Sequence, residues 1–422
     1  MRTPFRSKHP VRAYLLLLLI ATIPAIAAGK PGTGHYRLSF TVDLTPADGS
    51  ARARISVKQA VNLLHEVRLR APAERYTDFS GDGAIHRDGE FVTWKPPAQG
   101  GSINYAVSIN HQRASGGFDA LVTGQWAIFR GDNVFPPATI RQRAGARAVS
   151  ELSARLPDDW TLVAPFARKA NGHLRVDNPN RIFDRPVGWF IAGRLGVRRD
   201  NIAGMKISVA GPHDAGIQRI GMLALLRWTL PLLVAEIDSP PARISIVSAG
   251  EPMWHGGLSA PNSLFIHADR PLLSENATST LLHEMIHVLM PVSTLDEQDW
   301  IDEGIAEYVT LEILRRSGTI SEPRFLASLA TFARRGQRVG DLSAVCATGA
   351  VTARAVTIFH AVDHELQAKT GGRIDIFELI RHLMRRNEAI GLADLRTVTT
   401  KLTGGIPLRA LDNRHVPGFD SP

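Results

Sequence analysis

Cysteine is almost absent from this sequence, which has one thiol, Cys346, among 422 residues. A single thiol allows no internal disulfide and no cysteine-based zinc module, so a packed core must supply the stability. Its neighbours Val345 and Ala347 favour a small buried side chain over a nucleophile. The length suffices for two or three domains with cores of their own.

A nucleic-acid-binding motif is also lacking, although the formal net charge is +9. The first 27 residues hold four basic and no acidic residues, which leaves about +5 for the remainder. Most other basic residues are arginines scattered along the chain, a pattern typical of solvated faces. We therefore expect no nucleic-acid partner.

The apolar run Ala13–Ile23 is shorter than the roughly 20 residues of a membrane-spanning helix. Four basic residues precede it, and Ala25-Ile26-Ala27 follows as a small-residue cleavage site. This order predicts a signal peptide over 1–27, with an uncleaved anchor as the alternative. We expect an exported protein, periplasmic or secreted, with no stable membrane span after cleavage.

Alternation of apolar and polar residues dominates the first half of the chain. One face of its first segment carries five apolar side chains: Tyr36, Leu38, Phe40, Val42 and Leu44. The pattern recurs near Ile55, Val67 and Ile103, with turn residues such as Gly81-Asp82-Gly83 between the segments. Many short strands predict a β-sandwich-like N-terminal domain over 28–210.

Helical spacing of apolar residues becomes common after Pro212, beginning with a segment at Asp214–Glu236. Ser263–His267 still has the pattern of a strand. Further helices are predicted at Trp300–Arg316, Glu322–Arg335, Val351–Thr370 and Ile374–Arg386. The predicted fold class is α+β, with a second domain over 211–412 that is mainly helical toward the C-terminus, and a loose tail over 413–422.

The pentad His283-Glu284-Met285-Ile286-His287 is the most informative motif. Residues i and i+4 share one face of a helix, so both imidazoles face one point, and Glu284 can reach a water held there. This HExxH arrangement suits a zinc ion with a general base beside it. Two buried, hydrogen-bonded histidines beside a surface glutamate are the alternative.

A catalytic zinc usually takes a third protein ligand, and the segment Trp300–Tyr308 offers one. Glu303 and Glu307 lie one helical turn apart. We assign Glu303 as the ligand and Glu307 as the acceptor that orients a histidine through its other ring nitrogen. Asp302 is the fallback ligand, and a surface carboxylate is the alternative for Glu307.

The chain resembles the gluzincin metallopeptidases. HExxH followed by W-x-x-E-G-x-x-x-Y looks like the M1 aminopeptidases and the M61 (glycyl aminopeptidase) family. The segment Gly256-Gly257-Leu258-Ser259 resembles the start of the M61 substrate-strand motif GGLEHxNS, which favours M61. The resemblance implies a thermolysin-like zinc-peptidase domain, one Zn2+ per chain, and substrate binding by Gly256, Gly257, Leu258 and Ser259.

Two positions depart from the M61 pattern. Ser259 stands where that family has the glutamate that reads a free amino end. Thr352 stands where it has the tyrosine that donates to the tetrahedral intermediate, and no tyrosine follows Tyr308. Arg354, His360 and His364 are candidates for the role of that tyrosine, and only their residue types suggest it.

These residues together predict an exported zinc metallopeptidase that acts on peptide or protein substrates, with Glu284 as general base. A catalytically impaired, peptidase-like binding or scaffold protein is the alternative, and a zinc hydrolase of non-peptide amides is a third reading. The sequence leaves the cleavage position and the oligomeric state open.

Overall fold

The computed structural model describes residues 34–45, 49–177, 183–343, 347–386 and 388–419. The predicted signal peptide and Cys346 lie outside these residues. Within them the fold is α+β: strands dominate the first half and helices the part toward the C-terminus, as predicted.

The N-terminal part of the described chain is built from strands β1 to β16 and one helical turn, α1. Their bounds are β1 His35–Thr45, β2 Ser50–Lys58, β3 Leu64–Arg70, β4 Tyr76–Gly81, β5 Ala84–Asp88, β6 Phe91–Lys95, β7 Gly100–Ser108, β8 His111–Gln112, β9 Phe118–Val122, β10 Trp126–Arg130, α1 Gly131–Val134, β11 Ala138–Gln142, β12 Arg147–Arg155, β13 Thr161–Val163, β14 Ala167–Arg168, β15 Leu174–Val176 and β16 Trp189–Gly193.

These strands form three sheets, ordered β14-β15-β12-β1-β2-β7-β4, β13-β16-β10-β9-β8 and β11-β3-β6-β5. The apolar face predicted for β1 is buried, from Tyr36 to Leu44, and it joins one core with the inner faces of the neighbouring strands. Period-two alternation therefore identified the core-facing side of these strands correctly.

A further sheet carries the chain into the second domain. It has the order β17-β18-β19-β21-β20, with β17 Leu195–Ile202, β18 Met205–Pro212, β19 Arg243–Ala249, β20 Gly257–Ala260 and β21 Ser263–His267. The predicted boundary at residue 210 falls inside β18, which pairs in parallel with β19. Strand pairing therefore groups 195–210 with the downstream residues, because hydrogen bonds rather than composition define the sheet.

In the described part of the chain, seven longer helices pack on this sheet or on one another: α2 Arg219–Val234, α3 Thr280–Leu289, α4 Trp300–Arg316, α5 Glu322–Gly336, α6 Ala350–Thr370, α7 Ile376–Met384 and α8 Leu392–Leu402, with a 3₁₀ turn at Arg409–Leu411. The predicted bounds of α4 are confirmed, and those of α5 and α6 agree to within one residue. The sequence analysis missed α8. No helix among the described residues is both long and apolar enough to cross a membrane.

The C-terminal residues were predicted to be a loose tail from 413 onward. In the described part, Val416 is fully buried, and Phe419 packs on Trp300 with ring centroids 6.2 Å apart. The backbone N–H of Leu342 also donates to Pro417 O at 3.1 Å. Residues 413–419 therefore differ from the expectation, because their few apolar side chains dock against α4.

Close packing of α4 against α6 depends on Gly304, the residue after Glu303. A Cβ placed on Gly304 would lie 2.6 Å from Ala355 Cβ and 2.9 Å from a Phe359 ring carbon. Both neighbours are fully buried, so neither can move away easily. Glycine at this position lets α4 approach α6 and sets the place of Glu303.

The substitution Gly304→Ala tests this constraint. Alanine favours a helix by about 1 kcal/mol over glycine. Overpacking a dense core costs about 1–3 kcal/mol, with the upper part expected here because the clash is with a rigid methyl and a ring. We expect the free energy of unfolding, measured in urea, to fall by about 1–2 kcal/mol.

Gly221→Ala in α2 is the matched control. An added Cβ there would meet the flexible end of the Leu272 side chain at 2.9 Å. This change should be neutral or stabilising, because Leu272 can rotate away. Equal effects of the two substitutions would contradict the proposed role of Gly304.

Candidate metal centre

Helix α3 carries both histidines of the pentad on one face. The helix starts at Thr280, because Ser279 caps it by accepting the Leu282 N–H at 3.4 Å. Its remaining faces are apolar and buried, through Leu281, Leu282, Met285, Ile286 and Leu289. This packing holds the rings of His283 and His287 with centroids 4.8 Å apart.

Glu303 of α4 reaches the point where these rings meet. Its carboxylate oxygens lie 3.2 Å from His283 Nε2 and 3.6 Å from His287 Nε2. The two Nε2 atoms are 3.1 Å apart. The three predicted ligands therefore converge, and one oxygen and two nitrogens can face a single ion.

The other ring nitrogens each face a carboxylate of α4. His283 Nδ1 lies 2.9 Å from Glu307 Oε2, and His287 Nδ1 lies 3.1 Å from Asp302 Oδ2. An Nδ1–H that donates to a carboxylate fixes the tautomer and directs the lone pair of Nε2 toward the centre. Glu307 is thus the carboxylate beside His283 Nδ1, and its orienting role stays a prediction. Asp302, expected only as a fallback ligand, is the partner of His287, which the sequence analysis missed.

Electrostatics favour positive charge between the two rings. Burial alone would lower the pKa of His283, but the carboxylates of Glu303 and Glu307 outweigh it and raise that pKa well above its usual range. Burial likewise opposes charge on His287, and Asp302 overcomes it to raise the pKa of His287. For Glu303, burial is outweighed by the hydrogen bond from His283, so its pKa is lowered.

A divalent cation fits this donor set. Two Nε2 atoms at 3.1 Å would repel through their lone pairs unless a proton or a cation lies between them. Two imidazoles and one carboxylate are a ligand set of catalytic zinc, which leaves one position for water. The carboxylates of Asp302, Glu303 and Glu307 add negative charge that a divalent ion offsets more completely than one proton does.

Glu284 lies beside this centre and is nearly buried, with 8% of its surface exposed. The backbone N–H of Ser259 in β20 lies near its carboxylate and favours the charged form. Burial raises the pKa of Glu284, while the nearby His283 and His287 partly oppose that rise. A Cβ on Gly257 would lie 2.6 Å from Glu284 Cγ, so glycine permits the strand to pass close to the glutamate.

The hydroxyls considered for an intermediate are committed to other partners. The Thr352 hydroxyl donates to Ala347 O at 2.7 Å, at the N-terminal end of α6. Tyr308 is buried and donates to Asp363 Oδ2 at 2.7 Å. His360 packs edge-on against Tyr308, at 6.0 Å between ring centroids. Neither hydroxyl therefore fills the place of the family's tyrosine.

Comparison with solved structures finds several with a similar fold. An aminopeptidase N family protein from Idiomarina loihiensis matches with a TM-score of 0.63 and 14% identity, over 91% of this chain and 74% of its own. A Glu-to-Ala variant of an M1 zinc metallopeptidase from Deinococcus radiodurans, bound to a Tyr-Ser-Ala substrate, matches with 0.61 and 14%, over 92% and 95%. A second structure of the same variant matches with 0.62 and 15%, also over 92% and 95%.

The chain has the fold of the M1 zinc metallopeptidases. No protein-family profile matches the sequence, and no curated protein matches it either. At these identities the likeness is one of fold alone, and the finer M61 resemblance stays a prediction. This M1-type fold is the setting of the candidate metal centre.

Removing the outer carboxylates should weaken zinc binding. Glu307→Ala and Asp302→Ala each leave one Nδ1–H without its acceptor, so we expect a loss of zinc affinity of about 10- to 100-fold for each. Competition with a chelator of known affinity measures this loss. Asp296→Ala, at an exposed carboxylate before α4, is the control and should bind zinc like the wild type. An unchanged affinity in both test variants would contradict the proposed orientation of the rings.

Zinc affinity should also rise with pH. The raised pKa values of His283 and His287 mean that the metal-free rings hold a proton near neutrality, which zinc must displace. Between pH 6 and 8 we expect the apparent affinity to increase by up to about tenfold per pH unit for each proton displaced. Calorimetry in buffers of different ionisation enthalpy counts the released protons. A pH-independent affinity would show that the rings are already neutral.

Proposed function

We propose that the protein is a zinc-dependent peptidase, with one catalytic Zn2+ held by His283, His287 and Glu303. The observation that carries the proposal is the convergence of both Nε2 atoms and the Glu303 carboxylate beside a buried Glu284. The fold shared with M1 zinc metallopeptidases supports the same reaction class.

The contacts indicate the role of each residue in the reaction. A bound zinc ion polarises the scissile carbonyl and acidifies a water molecule. Glu284 takes a proton from the attacking water at its carboxylate and passes it to the nitrogen of the leaving amine. The Ser259 N–H favours the charged form of that carboxylate. Glu307 and Asp302 keep the two imidazoles in the orientation that binds metal.

The substrate class follows from strand β20, the last strand of its sheet. Gly256, Gly257, Leu258 and Ser259 lie at or within this edge, which contacts Glu284 through Gly257. An edge strand can bind an extended peptide through backbone hydrogen bonds, so we propose peptide or protein substrates. Ser259 supplies no negative charge for a free amino end, which sets this strand apart from the M61 motif.

The remaining parts of the proposal rest on the sequence. The motif Gly256-Gly257-Leu258 and the all-β N-terminal part favour an M61-like subtype within the gluzincins. The basic and apolar segments of residues 1–27 favour export to a periplasm or out of the cell.

The substitution Glu284→Gln tests the catalytic assignment. The amide keeps the size of the side chain but cannot accept the proton, so turnover should fall by about 10²–10⁴-fold. Zinc content should stay at the wild-type level, because Glu284 is not a ligand. Mass spectrometry of a mixed peptide library measures cleavage, and the cut positions separate removal of terminal residues from internal cleavage.

Glu275→Gln, at an exposed glutamate before α3, is the matched control and should retain full activity. Retained cleavage by Glu284→Gln would refute the role of that residue. Stoichiometric zinc without cleavage by the wild type would favour a binding or scaffold protein, or a non-peptide substrate.

A further inference from the structure

A second group of metal-binding side chains lies apart from the candidate centre. Glu251 and His255 belong to the loop between β19 and β20, and His267 ends β21. One ligand atom from each of the three lies within 4.8 Å of the others. The group therefore combines one loop with the end of a neighbouring strand, which the sheet brings together.

His267 is the buried member of this group. Its side chain is fully buried, and its Nε2 has no hydrogen-bond partner. Its Nδ1 accepts the backbone N–H of Asp269 at 3.2 Å. A buried ring nitrogen without a partner is costly and rare in folded proteins. A ligand bound at this atom would supply the missing partner.

The other two members are accessible and already in contact. The ring of His255 stacks on that of His267, with centroids 3.9 Å apart. His255 Nε2 also contacts Glu251 Oε1. The side chains of His255 and Glu251 are more than half exposed, so both can adjust around an ion that enters from solvent.

We propose that Glu251, His255 and His267 bind a second divalent transition-metal ion of the zinc type. Two imidazoles and one carboxylate favour zinc and its neighbours over calcium or magnesium, which prefer oxygen ligands. Solvent supplies the remaining ligand, because two of the three side chains are exposed.

The residue Asp269 suits this role as an outer partner. Its Oδ2 lies 4.0 Å from His267 Nδ1. With a metal on Nε2, the proton of His267 moves to Nδ1, which can then donate to this carboxylate after a small rotation. His267 Nδ1 would then no longer accept the Asp269 backbone N–H, and would donate to the Asp269 carboxylate.

A metal bound at this group would hold the start of strand β20 in place. His255 directly precedes Gly256, whose carbonyl accepts the N–H of His267 at 3.0 Å. An ion shared by the loop and β21 would add a second link next to that hydrogen bond. We therefore expect metal binding to raise the melting temperature without any contribution from the first centre.

The test uses the full chain with the first centre disabled by His283→Ala and His287→Ala. After equilibration in buffered zinc, mass spectrometry of the metal content should give two equivalents for the wild type and one for the disabled protein. Adding His255→Asn to the disabled protein should abolish that remaining equivalent and the zinc-induced rise in melting temperature. Glu251→Gln should weaken binding at least tenfold.

The control for these substitutions is His213→Asn in the same background. His213 is an exposed histidine beside Asp214, with Nδ1 2.8 Å from Oδ1, and this variant should keep its equivalent. The test variants change exposed side chains, so folding is not at risk as it would be for the buried His267.

Two results would overturn the inference. One is a disabled protein that binds no zinc, and the other is an equivalent that survives both His255→Asn and Glu251→Gln. Visible absorption of the Co2+-loaded protein gives an independent readout, since bands of nitrogen–oxygen coordination must disappear with His255→Asn. Neither readout needs peptidase activity, so failure of this site and failure of the proposed function are distinguishable.

Discussion

The 3.1 Å separation between the Nε2 atoms of His283 and His287 is the constraint around which the second domain is organised. Two imidazoles at that distance, surrounded by carboxylates of α4, are stable only with positive charge between them. The carboxylates of Glu303, Glu307 and Asp302 outweigh burial and raise the pKa values of both rings, so protons can supply that charge. A divalent ion supplies it more completely and leaves Glu284 free to act as a base.

The fold maintains this geometry through close approaches of backbone and helix. Gly257 lets strand β20 pass beside Glu284, and the Ser259 N–H on the same strand favours the charged form of its carboxylate. Gly304 lets α4 pack tightly on α6, which sets the position of Glu303. The apolar faces of α3 bury the helix that carries both histidines. Each of these contacts is local, and together they bring side chains from three separate segments to one place.

The sequence predicted the features that depend on periodicity. The i, i+4 spacing of the histidines and the one-turn spacing of Glu303 and Glu307 predict that these four side chains face one another, and α3 and α4 bring them together; their roles stay predictions. It did not predict Asp302 as the partner of His287, because that contact depends on the crossing of α3 and α4. It also missed the burial of Val416 and the grouping of 195–210 with the downstream sheet. Both depend on tertiary contacts and strand pairing, which no local pattern encodes.

The most direct test of the account is reconstitution of cleavage by zinc. The protein, stripped of metal and carrying His255→Asn to disable the second group, is titrated with Zn2+ while hydrolysis of a mixed peptide library is followed. The account predicts no cleavage without metal, and a rise in rate that is linear and complete at one equivalent per chain. Cleavage by the fully stripped protein, or a tightly bound equivalent that restores no cleavage, would contradict the assignment of His283, His287, Glu303 and Glu284 as a zinc peptidase centre.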